Sequence, residues 1–302
     1  MELAVVLARF AAFVAGAALF GSPLFVLYSG RAGEAAPRRL KSLLIGAAAL
    51  ALVAALAALV AQTGQMADDP RAGLDPSTLR DVMAGSGFGV SILVRAGAAV
   101  LALAGLTALR PGRRLWALTA ILGAAGLAAL AWDGHGAADP GAAGLVHATA
   151  DIIHLLAAGV WLGALLCLAL LLFARQPSAQ ALADLHRALR GFSGVGSAAV
   201  ATILASGLVN GWFLVGPQHL DGLVAMAWGR LLLVKLALFA AMLAFAAHNR
   251  FRLTPRLEAS LAGDLMAALS ALRRSVAMES ALGLGVLALV AVLGILAPPA
   301  SI

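Results

Sequence analysis

Hydrophobic residues in this chain come in long unbroken runs separated by short polar segments. A helix that crosses the roughly 30 Å hydrocarbon core of a bilayer needs about 20 mainly apolar residues. Eight stretches reach that length, at approximately 4–28, 40–62, 84–109, 114–133, 146–173, 192–215, 224–247 and 277–297. Ala, Leu, Val and Gly dominate them, which suits helices whose backbone groups are satisfied within the segment. The residue-by-residue alternation of a membrane β-strand is missing. The pattern predicts an all-α, polytopic membrane helix bundle with eight transmembrane helices. The first run is read as a retained helix, because Met1-Glu2-Leu3 is acidic and the run exceeds the apolar region of a signal peptide. Asp75-Pro76 predicts an N-cap and first turn of a short helix leading into the third span.

Connections between the runs are too short to separate folded domains. Residues 1–302 therefore read as a single membrane domain, with the first four spans in 1–135 and the last four in 145–297. The connection at 250–276 carries Leu257, Leu261, Leu265 and Leu269 at i+4 spacing. It predicts an amphipathic helix on the cytoplasmic interface with its arginines toward lipid head groups. Gly207-x-x-x-Gly211 in the sixth span predicts a close helix crossing.

Composition narrows the class. Hydrophobic residues make up 62% of the chain and charged residues 12%, against about 45–50% and about 25% in soluble domains. An ordinary water-soluble enzyme, a disordered chain and a nucleic-acid-binding module are excluded on that ground. The net charge of +7 reports topology in a membrane protein. Fifteen of the 21 Lys and Arg residues fall in the first, third, fifth and seventh connections; the second, fourth and sixth hold only Arg71 and Arg80. By the positive-inside rule the odd-numbered connections are cytoplasmic and both termini lie outside, in the periplasm. The outer connections then carry Asp68, Asp69, Asp75, Asp81, Asp133, Asp139 and Asp221, an acidic vestibule that would concentrate cations. The single cysteine, Cys167, reads as a small buried hydrophobe.

Ionisable residues inside spans are expensive and mark function by default. The fifth span presents His147, Asp151, His154, Ala158 and Trp161, which fall within an arc of about 80° at helical spacing. Imidazole is the commonest metal ligand, and a neighbouring carboxylate fixes its tautomer. His147 and His154 are separated by about 10.5 Å of helix rise, so they belong to separate steps or separate sites. His135, Met66, Met83 and Met226 lie toward the same side as further candidate ligands. Thioether and imidazole donors together suit Cu(I) better than a hard cation. Arg9, Arg95 and Lys235 oppose a simple cation site, with Asp151 the only carboxylate expected at their depth. They are read as structural, as partners of loop aspartates, or as contacts to an anion such as a haem propionate. Walker, CxxC and HExxH motifs and nucleophile triads are absent, so the chain is read as a non-enzyme that does not pump with ATP by itself.

Several fragments of the second half carry a resemblance. They are His154-Leu-Leu-Ala-Ala-Gly-Val-Trp161-Leu-Gly163, Gly191-Phe-Ser-Gly194, Ser206-Gly-Leu-Val-Asn210, Trp228-Gly-Arg-Leu-Leu-Leu-Val-Lys235, Ala246-Ala-His-Asn249-Arg250 and Leu272-Arg-Arg-Ser-Val276. Together they resemble the copper-resistance D (CopD/PcoD) family of inner-membrane copper proteins over roughly 145–297, and more weakly in the first four spans. Trp228 departs from the tyrosine expected before Gly229, and no copper-binding β-sandwich accompanies the helices. The resemblance implies copper transport or handling across the bacterial inner membrane, described as uptake from periplasm to cytoplasm and contributing to copper homeostasis or resistance. A separate periplasmic copper carrier, the lipid bilayer and a second copy in a homo-oligomer are the expected partners, and nucleic acid is not. Two alternatives stay open: a b-type haem-binding redox protein, and a copper-delivery factor for respiratory oxidase assembly.

Overall fold

A computed structural model of the protein describes residues 2–29, 36–133, 141–173, 179–260 and 264–301. Eight long helices, each long and apolar enough to cross a membrane, make up nearly all of it. They are α1 (Glu2–Tyr28), α2 (Ala36–Met66), α3 (Gly87–Ala108), α4 (Arg113–Ala129), α5 (Gly141–Leu172), α6 (Ala179–Leu214), α7 (Ala227–His248) and α8 (Leu265–Leu293). Among the described residues there is no strand. The short helix Pro76–Gly85 precedes α3, as the Asp75-Pro76 pair predicts, and the Asp75 carboxylate accepts a hydrogen bond from Thr78 N at 2.8 Å. Ser86 caps α3 in the same manner, accepting from Gly89 N at 3.0 Å. At the end of α6, Gly216 adopts φ 66° and its N–H returns to Gly211 O at 3.2 Å. That backbone conformation suits glycine and terminates the helix.

Helix α1 is the centre of the bundle, packed against α2, α4 and α5 and reached by α8. Helix α3 completes the first half beside α2 and α4, while α5 joins the halves by also packing on α6 and α8. Helices α6 and α7 are peripheral and show most of their surface. Helices α1 and α5 cross with their backbones in contact. A Cβ on Gly163 would overlap the backbone of Gly21 and Ser22, and one on Gly21 would overlap the carbonyl of Gly159. Ser22 Oγ donates to Gly163 O at 3.2 Å, and buried Cys167 donates its thiol to Ser22 O at 3.6 Å. Gly159-x-x-x-Gly163 is thus the small-residue seam that lets two backbones touch. The predicted pair Gly207/Gly211 behaves differently: Gly207 faces the His154 ring and Gly211 faces open space.

The connection between the last two spans also departs from expectation. Rather than one separate interfacial helix, α7 runs through a π-helical turn at Asn249–Leu253 into Thr254–Ala259, and α8 starts already at Leu265. Leu253, Leu257, Leu269 and Leu272 are buried in the main core with Leu172, Leu185 and Leu189. The i+4 pair Leu253/Leu257 and the i+3 pair Leu269/Leu272 mark faces turned to protein instead of lipid, a distinction that periodicity alone does not make. Leu261 lies outside the described residues. Arg190 Nε, donating to Glu258 Oε1 at 2.9 Å, ties α6 to this segment.

Candidate functional site

The polar strip of α5 faces inward, against α6. His147 is 2% exposed, and its ring stacks parallel on Phe213 with centroids 4.7 Å apart. One turn along, Asp151 Oδ1 accepts from Asn210 Nδ2 at 3.3 Å. Lys235 of α7 and Arg9 of α1 set positive charge near the same carboxylate. A further turn along, His154 Nδ1 lies 3.0 Å from Ser206 Oγ. Ser206 Oγ also lies 2.6 Å from Thr202 O; with its proton on that carbonyl, Nδ1–H is the donor to the serine. Nε2 then keeps its lone pair, the arrangement in which a histidine serves as a metal ligand. Gly207 of α6 faces the same imidazole, and a Cβ there would sit in ordinary van der Waals contact with the ring. Two turns deeper, Trp161 is 2% exposed and donates Nε1–H to Glu279 Oε1 at 2.8 Å.

Beside this strip, α5 and α6 enclose an open groove of about 750 Å³. Its walls are apolar, from Leu145, Val146 and Ile153 on one side to Ala201, Ala205 and Val209 on the other; Ser206 is the wall between it and His154.

Arg9 and Arg95 have a partner that the sequence placed in a loop. Asp133 is buried with them: Arg95 Nη1 forms an ion pair with its Oδ2, and Arg9 Nη1 donates to its backbone carbonyl at 2.9 Å. Asp151 is therefore not the only carboxylate at that depth. The guanidinium of Arg9 also fills the space beside Gly294, where a Cβ would collide with it. This cluster joins α1, α3, the end of α4 and the residue after α8, and so fixes the end of the bundle at which the α5 strip opens.

The remaining predicted ligands do not converge. Met83 packs into an apolar cluster with Ala8, Leu59, Phe88 and Ile92, Met66 is 58% exposed, and Met226 sits at the start of α7 with its sulfur near Gly222. Their thioethers fill or border packing, a common use of methionine. His135 lies outside the described residues. His219 and His248 are exposed and His186 is partly buried. Among the described residues no three His, Cys, Asp or Glu side chains stand close enough together to hold one ion. The site is a ladder of paired contacts along one helix. Sequence reading missed Asn210, Ser206, Phe213, Glu279 and Asn249 as its partners. The first three recur on one face of α6 at helical spacing, a signal available once that face is known to meet α5.

Comparison with known proteins supplies the family. A family model for the copper resistance protein D-like N-terminal domain matches residues 1–145, and one for copper resistance protein D matches residues 186–293. Copper resistance protein D of Pseudomonas syringae pv. tomato is 37% identical over 297 residues, covering 96% of this chain and 95% of the relative. The chain belongs to the copper resistance protein D family. Inner membrane protein YebZ of Escherichia coli (strain K12) is 35% identical over 53% of both chains. Copper transport protein CutJ of Bacillus subtilis (strain 168) is 32% identical over 73% of this chain and 41% of that protein. No solved structure matches. The strip from His147 to Trp161 falls between the two matched segments, on the fifth of eight helices long and apolar enough to cross a membrane.

Proposed function

We propose that this protein moves copper, as Cu(I), across the bacterial inner membrane, from the periplasm into the cytoplasm, and contributes to copper homeostasis or resistance. The observation that carries the reading is the ladder of buried His147 and half-buried Asp151 and His154 along α5, each rung oriented by a residue of α6. Imidazole nitrogens are soft enough for Cu(I), and the carboxylate balances its charge. The alternation of basic connections supports a periplasmic position for the open end of the ladder. Copper is handed from His147 to His154 past Asp151, and Lys235 and Arg9 keep Asp151 from trapping the ion. Without a nucleotide motif, the driving force is the concentration gradient and the membrane potential, worth about 2.3 kcal/mol per charge per 100 mV. No covalent chemistry is assigned to the chain. A soluble periplasmic carrier delivers the metal.

The test is Cu(I) uptake into proteoliposomes holding wild type or His154→Ala. Uptake by wild type and its loss in the variant are expected, and equal flux would refute the role of His154. The surplus positive charge that motivates a haem propionate site is partly met by Asp133. A Soret band in the purified protein would bring haem back.

A further inference from the structure

A third carboxylate, beyond Asp151 and Asp133, lies at the deep end of the strip and takes no part in the proposed copper path. Glu279 of α8 is 2% exposed. Its Oε1 accepts from Trp161 Nε1 and its Oε2 from Asn249 Nδ2, both at 2.8 Å. Phe239, edge-on to Trp161, and Met242 make the surroundings apolar.

Charged groups on the neighbouring helices are engaged elsewhere. Arg273 donates to Leu172 O, Arg250 bonds Ser193 and Ser197, and Glu258 is held by Arg190. Lys235 acts on Asp151, and Arg9 bonds Asp133. Cys167 donates to Ser22 O, and among the described residues Tyr28, His248, Arg252, Arg256 and Arg274 form neither a hydrogen bond nor an ion pair with Glu279. Glu279 thus differs from Asp133, which has a guanidinium on it. A buried anion held only by two neutral N–H groups is poorly compensated.

Asn249 supplies the second observation. Its Oδ1 is buried and has no hydrogen-bond partner among the described residues. Turning this amide over would present Oδ1 to Glu279 in place of Nδ2, and the new contact needs an O–H on the carboxyl. One side chain can therefore serve both states, donating to the carboxylate or accepting from the acid. Asn249 also opens the π-helical turn Asn249–Leu253, a local break of the kind that recurs at functional sites.

We propose that Glu279 is a proton-exchange site coupled to copper: it holds a proton in the metal-free protein and releases it when Cu(I) occupies the α5 ladder. This rests on the copper reading of that ladder. One positive charge enters the dry interior and one leaves it. The proton departs from Oε2, the Asn249 amide turns to donate to the resulting carboxylate, and water at the π-turn end accepts the proton. Trp161 links the two sites, since it shares the face of α5 that carries His154 and bonds Glu279 directly.

The test adds Cu(I), as its acetonitrile complex, to the detergent-purified full chain in weak buffer, with a pH-indicator dye and an infrared difference spectrum as readouts. Wild type is expected to release on the order of one proton per Cu(I) bound, with loss of a protonated-carboxyl C=O band. Glu279→Gln should bind Cu(I) with that band absent and proton release reduced. Asn249→Ala keeps the carboxyl and should move the band to higher frequency, because the acid loses its acceptor. Cu(I) binding with an unchanged carboxyl band would overturn the proton role and leave the copper reading standing. The same band loss in Glu279→Gln would assign the proton to another carboxyl and overturn it equally. Failure of wild type to bind Cu(I) would overturn both.

Discussion

Replacing Asp133 with alanine tests the organisation of the ladder's open end. The Asp133 and Arg95 side chains are 2% and 5% exposed and form an ion pair between the end of α4 and α3. Removing one partner of a buried pair leaves the other charge without compensation and costs about 3–5 kcal/mol. The bond from Arg9 survives, because its acceptor is the Asp133 backbone carbonyl. The loss therefore falls on Arg95, whose Nη2 already lacks a partner among the described residues. Two further variants separate this effect from simple truncation. Arg95→Met/Asp133→Leu removes both charges and fills the space, so most of the stability should return. Glu258→Ala breaks the ion pair with Arg190, whose side chain is 72% exposed, and should change little, since exposed pairs are screened and contribute weakly. Denaturant titration of the detergent-purified protein, followed by circular dichroism, reads all three. Equal midpoints for Asp133→Ala and Glu258→Ala would refute the claim that the cluster is a dry, structure-bearing ion pair.

Other expectations follow from single contacts. Gly163→Ala places a methyl into the backbone of Gly21 and Ser22 and should destabilise by about 1–3 kcal/mol as α1 and α5 separate, read in the same titration. Ser206→Ala removes the group that orients His154 and should weaken Cu(I) affinity about 10–100-fold, measured by competition with a chromogenic Cu(I) chelator; unchanged affinity would detach the serine from the site. Asp75 carries a pH dependence of its own. Hydrogen bonds from Ser77 and Thr78 pull its carboxyl down to about 2. A depressed folded value means that the cap's contribution is complete above the unfolded value of about 4 and is lost as pH falls from about 4 toward about 2. Asp75→Ala should accordingly speed amide exchange at Thr78 at neutral pH, and the difference from wild type should vanish below that window.

The arc of His147, Asp151, His154 and Trp161 was legible from helical spacing, and the structure turns it into the protein. Its partners were not legible, because a helix reports its own faces but not which neighbour meets them. Asn210 lies 59 positions from Asp151, and Glu279 lies 118 from Trp161. The methionines show the opposite failure. Nearness to one end of the spans suggested a common site, but Met83 and Met226 belong to different parts of the bundle. Asp133 was assigned to an outer connection because the fourth apolar run ends there, yet the helical turn Leu130–Asp133 that follows α4 carries it back beside Arg95.

Eight spans, the alternation of basic connections and the polar stripe on the fifth span are all determined by the amino-acid order alone. Each depends on local quantities: apolar length against bilayer thickness, charge per connection, and the 3.6-residue repeat. Which glycines let helices touch, which carboxylate meets which cation, and whether a leucine face meets lipid or protein were decided by tertiary packing. Those are properties of pairs of surfaces far apart in the chain, and no local pattern encodes the second surface. Gly21 against Gly163 and Glu279 against Trp161 exist only once α1, α5 and α8 are assembled.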